Sequence, residues 1–189
     1  LGERTSAARF ATDHPETVVV VSSFSKSYAM TGWRVGFALG PRSLTEALQA
    51  LQSHSVTHAT SFAMAGALAA LRGAEAEVES NLAEYRARRE LVVSRLEQIE
   101  GVRCPPPAGT FYAFPDVGLW CDRLGVDSVG LAERLLESTG VAVVPGAAFG
   151  SDRHLRLSFA AAPEVLETAL DRLSEAVSGG LERAGTLDG

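Results

Sequence analysis

Between residues 22 and 37 the chain reads Ser22-Ser23-Phe24-Ser25-Lys26-Ser27-Tyr28-Ala29-Met30-Thr31-Gly32-Trp33-Arg34-Val35-Gly36-Phe37. A lysine set among small hydroxyl residues, directly after an apolar run, is placed to act as an amine nucleophile, and a neutral amine attacks an aldehyde to form a Schiff base. Eight residues on, Arg34 supplies a fixed cation suited to phosphate, and Ser23 and Ser25 add hydroxyl donors. An aldehyde-reactive amine with phosphate-binding groups a short loop away is the arrangement that pyridoxal 5'-phosphate demands of a protein. Taken singly, Lys26 reads as a solvated loop residue and Arg34 as half of a structural ion pair; together with the serines they favour ligand chemistry.

The elements that must position these groups are legible in outline. Val18–Val21 is a β-branched run ending in Ser22-Ser23, which predicts a doubly buried strand of a mostly parallel sheet, with Lys26 on the loop after it. Trp33 to Leu39, closed by Gly40-Pro41, predicts a second strand. Ser43 and Glu46 have the capping-box spacing and start a helix with Leu44, Ala47, Leu48 and Leu51 on its apolar face. After a polar break at 53–60, Ser61–Leu71 returns to helix and ends near Gly73. From Ala74 to about Glu100, Val78, Leu82, Tyr85, Val92, Leu96 and Ile99 share one face of a long amphipathic helix whose charged side, including Glu84 and Arg88, is solvated.

Cys104-Pro105-Pro106-Pro107 cannot continue that helix and marks a boundary. Beyond it, Phe111–Phe114, Val141–Val144 and His154–Phe159 read as strands and Ser128–Ser138 and Pro163–Val177 as helices, an α+β module. Leu155, Leu157 and Phe159 alternate with Arg156 and Ser158, so Arg156 projects from the opposite face to the leucines. Phe111 and Tyr112 are candidates to line a pocket, although aromatic residues in a strand are more often core. The first fifteen residues read as irregular, and the chain from Gly179-Gly180 onward as a frayed tail.

Composition narrows the function classes. At 189 residues, 46% hydrophobic and 21% charged, the chain has the make-up of a folded globular protein and not of a disordered or fibrous one. A net charge of −6 has the wrong sign for a protein that neutralises nucleic-acid phosphates, and no apolar run is long enough to span a bilayer. No nucleic acid, no membrane and a cytoplasmic location are therefore expected. Cys104 and Cys121 are too few for a disulfide framework and are expected as reduced thiols. His54 and His58 stand four apart but lack a third ligand, so no metal is expected. Gly146–Gly150 lacks the lysine-serine/threonine ending of a phosphate loop, and no Gly-x-Ser-x-Gly elbow occurs, which removes nucleotide hydrolysis and serine esterase readings. The start at Leu1 instead of Met suggests processing or part of a longer polypeptide.

Ser23-Phe24-Ser25-Lys26, followed by Gly32-Trp33-Arg34-Val35-Gly36, resembles the cofactor-lysine motif of the class I/II, fold-type I, pyridoxal-phosphate-dependent aminotransferases. Pro107-Ala108-Gly109-Thr110-Phe111-Tyr112-Ala113-Phe114-Pro115, Val144-Pro145-Gly146-Ala147-Ala148-Phe149-Gly150 and Leu155-Arg156-Leu157-Ser158-Phe159-Ala160 resemble the landmarks of that family's small domain, in the same order. The resemblance covers nearly the whole chain but only the C-terminal portion of the family. It implies an α/β fold with residues 1–73 as the C-terminal part of the large cofactor domain, 74–103 as a long connecting helix and 104–189 as a small α+β domain.

Residue by residue, the resemblance implies that Lys26 bonds the cofactor covalently, that Ser23 and Arg34 hold its phosphate, and that Arg156 binds the substrate's α-carboxylate. The implied reaction is ping-pong amino transfer between an L-amino acid and a 2-oxo acid, with Lys26 also moving the proton. The family also relies on an aspartate at the pyridine nitrogen and an aromatic residue over the ring, both upstream of the lysine; no residue here takes those roles. A homodimer, or association with a missing N-terminal half, is the expected assembly. The alternatives are a lyase or synthase of the same fold, and a catalytically incomplete remnant or partner-dependent subunit.

Overall fold

Strands β1 (Val20–Ser23) and β2 (Gly36–Leu39) pair antiparallel, with Val20 opposite Leu39 and Ser23 opposite Gly36. In the computed structural model, which describes residues 6–179, they form the hairpin that carries the Lys26 loop. The mix of helices and sheet agrees with the expected α/β class, and the strand pairings among the described residues are antiparallel. A strand is buried on both faces only where layers cover both. Among the described residues β1 has one strand neighbour, and Val21 and Leu39 are 77% and 59% exposed.

Helix α1 (Arg42–Ser55) follows Pro41, which stands at its N-cap without a side-chain hydrogen bond. Ser43 therefore lies inside the first turn and makes no capping box. Glu46 pairs instead with Arg42 one turn back, at 2.7 Å. α1 ends before His58, whose Nδ1 lies 2.6 Å from the carbonyl oxygen of Ala59, so the two histidines do not share a helix. Helix α2 (Ser61–Gly73) buries Ala63 and Ala67. The long helix α3 runs Glu75–Glu97.

Contacts divide the chain into two compact units, one up to Asn81 and one from Leu82 onward. In the second unit β5 (Leu155–Ser158) lies between β3 (Tyr112–Ala113) and β4 (Val144–Pro145) in a three-stranded antiparallel sheet. Helix α5 (Ser128–Thr139) is capped by Asp127, whose carboxylate accepts from the amides of Val129 and Gly130. Helix α6 (Pro163–Ser178) starts with proline at a position whose N–H needs no partner. Leu131, Leu135, Leu155, Phe159 and Leu170 join Val92, Leu96 and Ile99 in its core, with Tyr85 packed against it; of the apolar stripe read from the long helix, Val78 and Leu82 are half-buried outside that core and Ile99 lies past the helix end. Helix α4 (Gly118–Leu124) was not foreseen; its run Gly118-Leu119-Trp120-Cys121 is too short to show a helical period. The tail from Gly180 on and residues 1–5 lie outside the described residues.

Burial pushes the thiols of Cys104 and Cys121 above the ordinary cysteine range. Arg153 makes a two-pronged bond to Asp122, 2.8 and 2.7 Å, which holds that carboxyl below the usual range.

Candidate functional site

The β1–β2 ladder continues one step past Ser23, because the amide of Phe24 donates to the carbonyl of Val35 at 3.2 Å. The loop between is closed by its own backbone. Tyr28 and Met30 donate to Phe24, Ala29 donates to Lys26, and Trp33 donates to Met30, while the Thr31 hydroxyl donates to the carbonyl of Ser25 at 2.9 Å. These bonds satisfy groups that a longer, looser loop would leave to water.

Three apolar residues fasten the loop to α2. Phe24, Met30 and Val35 are buried with Ala63 and Ala67, and Tyr28 packs against the same cluster. The small residues of α2 allow that close approach: a Cβ on Gly66 would stand 2.6 Å from Cζ3 of Trp33. The hairpin neck is equally tight, since a Cβ on Gly36 would stand 2.6 Å from the carbonyl oxygen of Ser22. Ala29 and Arg34 both have φ of 54°, in the left-handed region that side chains other than glycine rarely adopt. Backbone held in such conformations collects at functional sites.

The outcome is a loop whose greasy residues are fixed and whose polar ones face outward. Ser23, Lys26 and Arg34 are all exposed, on one stretch of twelve residues. The Nη1 of Arg34 donates to the carbonyl of Thr31 at 3.0 Å, which orients the guanidinium and leaves most of its donors for a ligand. Lys26 has a further distinction that the motif-centred reading passed over: it is the single lysine in a chain with 17 basic Lys and Arg residues.

Arg156 belongs to the second unit. Val144 stands opposite Arg156 and Tyr112 opposite Ser158, so Tyr112, Arg156 and Ser158 share a sheet face. Leu155 takes the other face and is buried. The Arg156 Cζ lies 4.3 Å from the Tyr112 ring centroid and 4.4 Å from that of Phe149. Phe149 ends the 3-10 turn Gly146–Phe149, and that turn has no room for a side chain at its start: a Cβ on Gly146 would fall 2.3 Å from the carbonyl oxygens of Ser151 and His154. The buried Ser128 hydroxyl accepts from the amide of Ala147 at 3.1 Å and ties the turn to α5. Phe149 was the residue missed; its segment was recognised, but only the folded turn brings its ring to Arg156.

The sequence model of the family described as "Aminotransferase class I and II" matches residues 2–173. The chain belongs to that family. It is 40% identical over 170 residues to the aspartate/prephenate aminotransferase of Cereibacter sphaeroides, a match covering 87% of this chain and 42% of the relative. It is 37% identical over 169 residues to the aspartate aminotransferase of Geobacillus stearothermophilus, covering 89% and 43%. Among solved structures, the aspartate aminotransferase of Rhizobium meliloti superposes with a TM-score of 0.84 at 34% identity, over 93% of this chain and 45% of that one. The chain thus spans less than half the length of these relatives. Among the described residues no helix is long and apolar enough to cross a membrane.

Members of this aminotransferase family use pyridoxal phosphate, and the residues on the hairpin loop fit that group. A phosphorylated aldehyde asks for an accessible amine, a fixed cation and hydroxyl donors. Lys26, Arg34 and Ser23 supply them from a loop whose two ends are joined at Phe24 and Val35.

Proposed function

We propose that this chain carries the lysine-bearing part of a pyridoxal-phosphate aminotransferase, which moves an amino group between an L-amino acid and a 2-oxo acid. What supports this reading most is the hairpin loop, which keeps Ser23, Lys26 and Arg34 together on a closed and anchored scaffold. In it, residues 1–73 belong to the cofactor domain, 74–103 to the connecting helix and 104–189 to the small domain. The working enzyme is a cytoplasmic homodimer or an association with the part of the relatives that this chain does not match.

In this reading the Ser23 hydroxyl and the Arg34 guanidinium would hold the phosphate, and Lys26 Nζ would hold the cofactor at its aldehyde group. The cofactor, when bound, supplies an electron sink for the carbanion formed at the substrate Cα. The Lys26 amine would act as the base that takes the proton from the substrate Cα and gives it back. Arg156 binds the α-carboxylate through paired N–H donors that lysine cannot reproduce. Since the relatives are aspartate and aspartate/prephenate aminotransferases, an acidic amino acid is the first donor to test.

The test is transfer of 15N from labelled aspartate to 2-oxoglutarate. It is run with the chain alone and with the unmatched part of a relative supplied separately, each with pyridoxal phosphate. Labelled glutamate, lost with Lys26→Ala, is the expected result. Elimination products without transfer, or no transfer in either mixture, would overturn it.

A further inference from the structure

We infer that Tyr112 and Phe149 are positioning residues, which clamp the Arg156 guanidinium between aromatic faces and hold its N–H edge toward a carboxylate ligand; this rests on the reading of Arg156 as a carboxylate binder. The two rings lie 4.3 and 4.4 Å from Cζ, within the range in which a guanidinium is attracted to a ring face. A guanidinium stacked on ring faces keeps its five in-plane donors for other partners. Among the described residues of its unit, no carboxylate and no carbonyl takes a hydrogen bond from that guanidinium. Neighbouring arginines are different. Arg153 is spent on Asp122 and Arg123 on Glu100. Among the described residues of its unit, Arg156 is held by ring faces without such a partner, which orients it without satisfying it.

The clamp has two independent supports. Tyr112 is set by sheet register, one residue pair from Arg156 on the same face. Phe149 is set by the tight turn after Gly146 and by its edge-on contact with Phe114, centroids 6.1 Å apart and planes at 89°. Phe114 in turn stacks on the His154 ring at 4.8 Å and 13°. Phe149 is 49% exposed, so a large apolar ring is kept at the surface with its face on the cation.

The experiment uses the full chain labelled with 15N, observing the Arg156 Nε–Hε resonance, assigned by its loss in Arg156→Lys. Succinate is the probe. The parent resonance is expected to shift on titration, and Phe149→Ala and Phe149→Leu to weaken succinate binding about threefold to tenfold. Phe149→Tyr should keep it, whereas a role in apolar packing alone would let Phe149→Leu keep it as well. Rotation about the Nε–Cζ bond is read in the same samples without ligand, and is expected to quicken several-fold in Phe149→Ala and Tyr112→Ala. Unchanged rotation and unchanged succinate affinity in both alanine variants would overturn the clamp. Quickened rotation with no succinate response in the parent would keep the clamp and overturn the carboxylate reading.

Discussion

Replacing Gly36 with alanine should open the Lys26 loop and leave the second unit alone. The added Cβ would stand 2.6 Å from the Ser22 carbonyl oxygen and 3.3 Å from Cα and Cβ of Ser23. A relaxed carbon–oxygen contact is about 3.3 Å, so the two strands must part by roughly 0.7 Å. The obstacle is backbone of the partner strand, one residue before Gly36's register partner Ser23, and no side-chain rotation relieves it. Overpacking of this kind costs about 1–3 kcal/mol. Loss of the adjoining Phe24–Val35 bond adds about 1 kcal/mol. Alanine recovers about 0.4–1 kcal/mol by restricting the unfolded chain. The net is about 2 kcal/mol, or roughly a 30-fold larger population of the open hairpin. Hydrogen exchange followed by mass spectrometry reads this directly, with peptides covering residues 20–39 exchanging about 30-fold faster and those covering 128–139 unchanged. Parent-like exchange across residues 20–39 would refute the claim that the neck of this loop depends on the missing side chain.

Asp127→Ala removes the cap of α5 and should lower stability by about 1 kcal/mol, measured by urea denaturation followed through Trp120. Leu135→Ala, at a fully buried position, should cost about 2–5 kcal/mol in the same assay. The buried Cys104 thiol keeps its proton to higher pH than in the unfolded chain. Its contribution to stability is therefore complete below the ordinary thiol range and lost as pH rises through and above it; Cys104→Ala should flatten the alkaline limb of a stability–pH curve. Asp122 has the opposite sign. Its carboxyl is held low by Arg153, so its NMR titration midpoint should rise toward the usual range in Arg153→Gln.

Much of this was legible in the sequence because it rested on local chemistry. The Ala-rich α2, the long helix with Val92 and Leu96 on its buried side, and the alternation that separates Arg156 from Leu155 all follow from side-chain period. The motif around Lys26 was legible because residue type and spacing are themselves the signal. Features that arise from neighbours were not. Val18–Val21 reads as a buried parallel strand from its composition, yet burial depends on which strands and layers stand beside it, and among the described residues β2 is the strand beside it. Ser43 and Glu46 have capping-box spacing, but the helix begins after Pro41, and Arg42 takes the glutamate. Phe149 meets Arg156 only because Gly146 lets two backbone segments cross.

The single lysine makes the central claim open to one decisive measurement. The chain is incubated with millimolar pyridoxal phosphate or with pyridoxal, which lacks the phosphate, reduced with borohydride and digested for mass analysis. The only side-chain amine that can be trapped is that of Lys26. The account predicts weak binding overall, with far more Lys26 adduct from pyridoxal phosphate than from pyridoxal, and loss of that difference in Arg34→Ala. Equal trapping by the two aldehydes in the parent chain would contradict a phosphate site built by Ser23 and Arg34 beside Lys26.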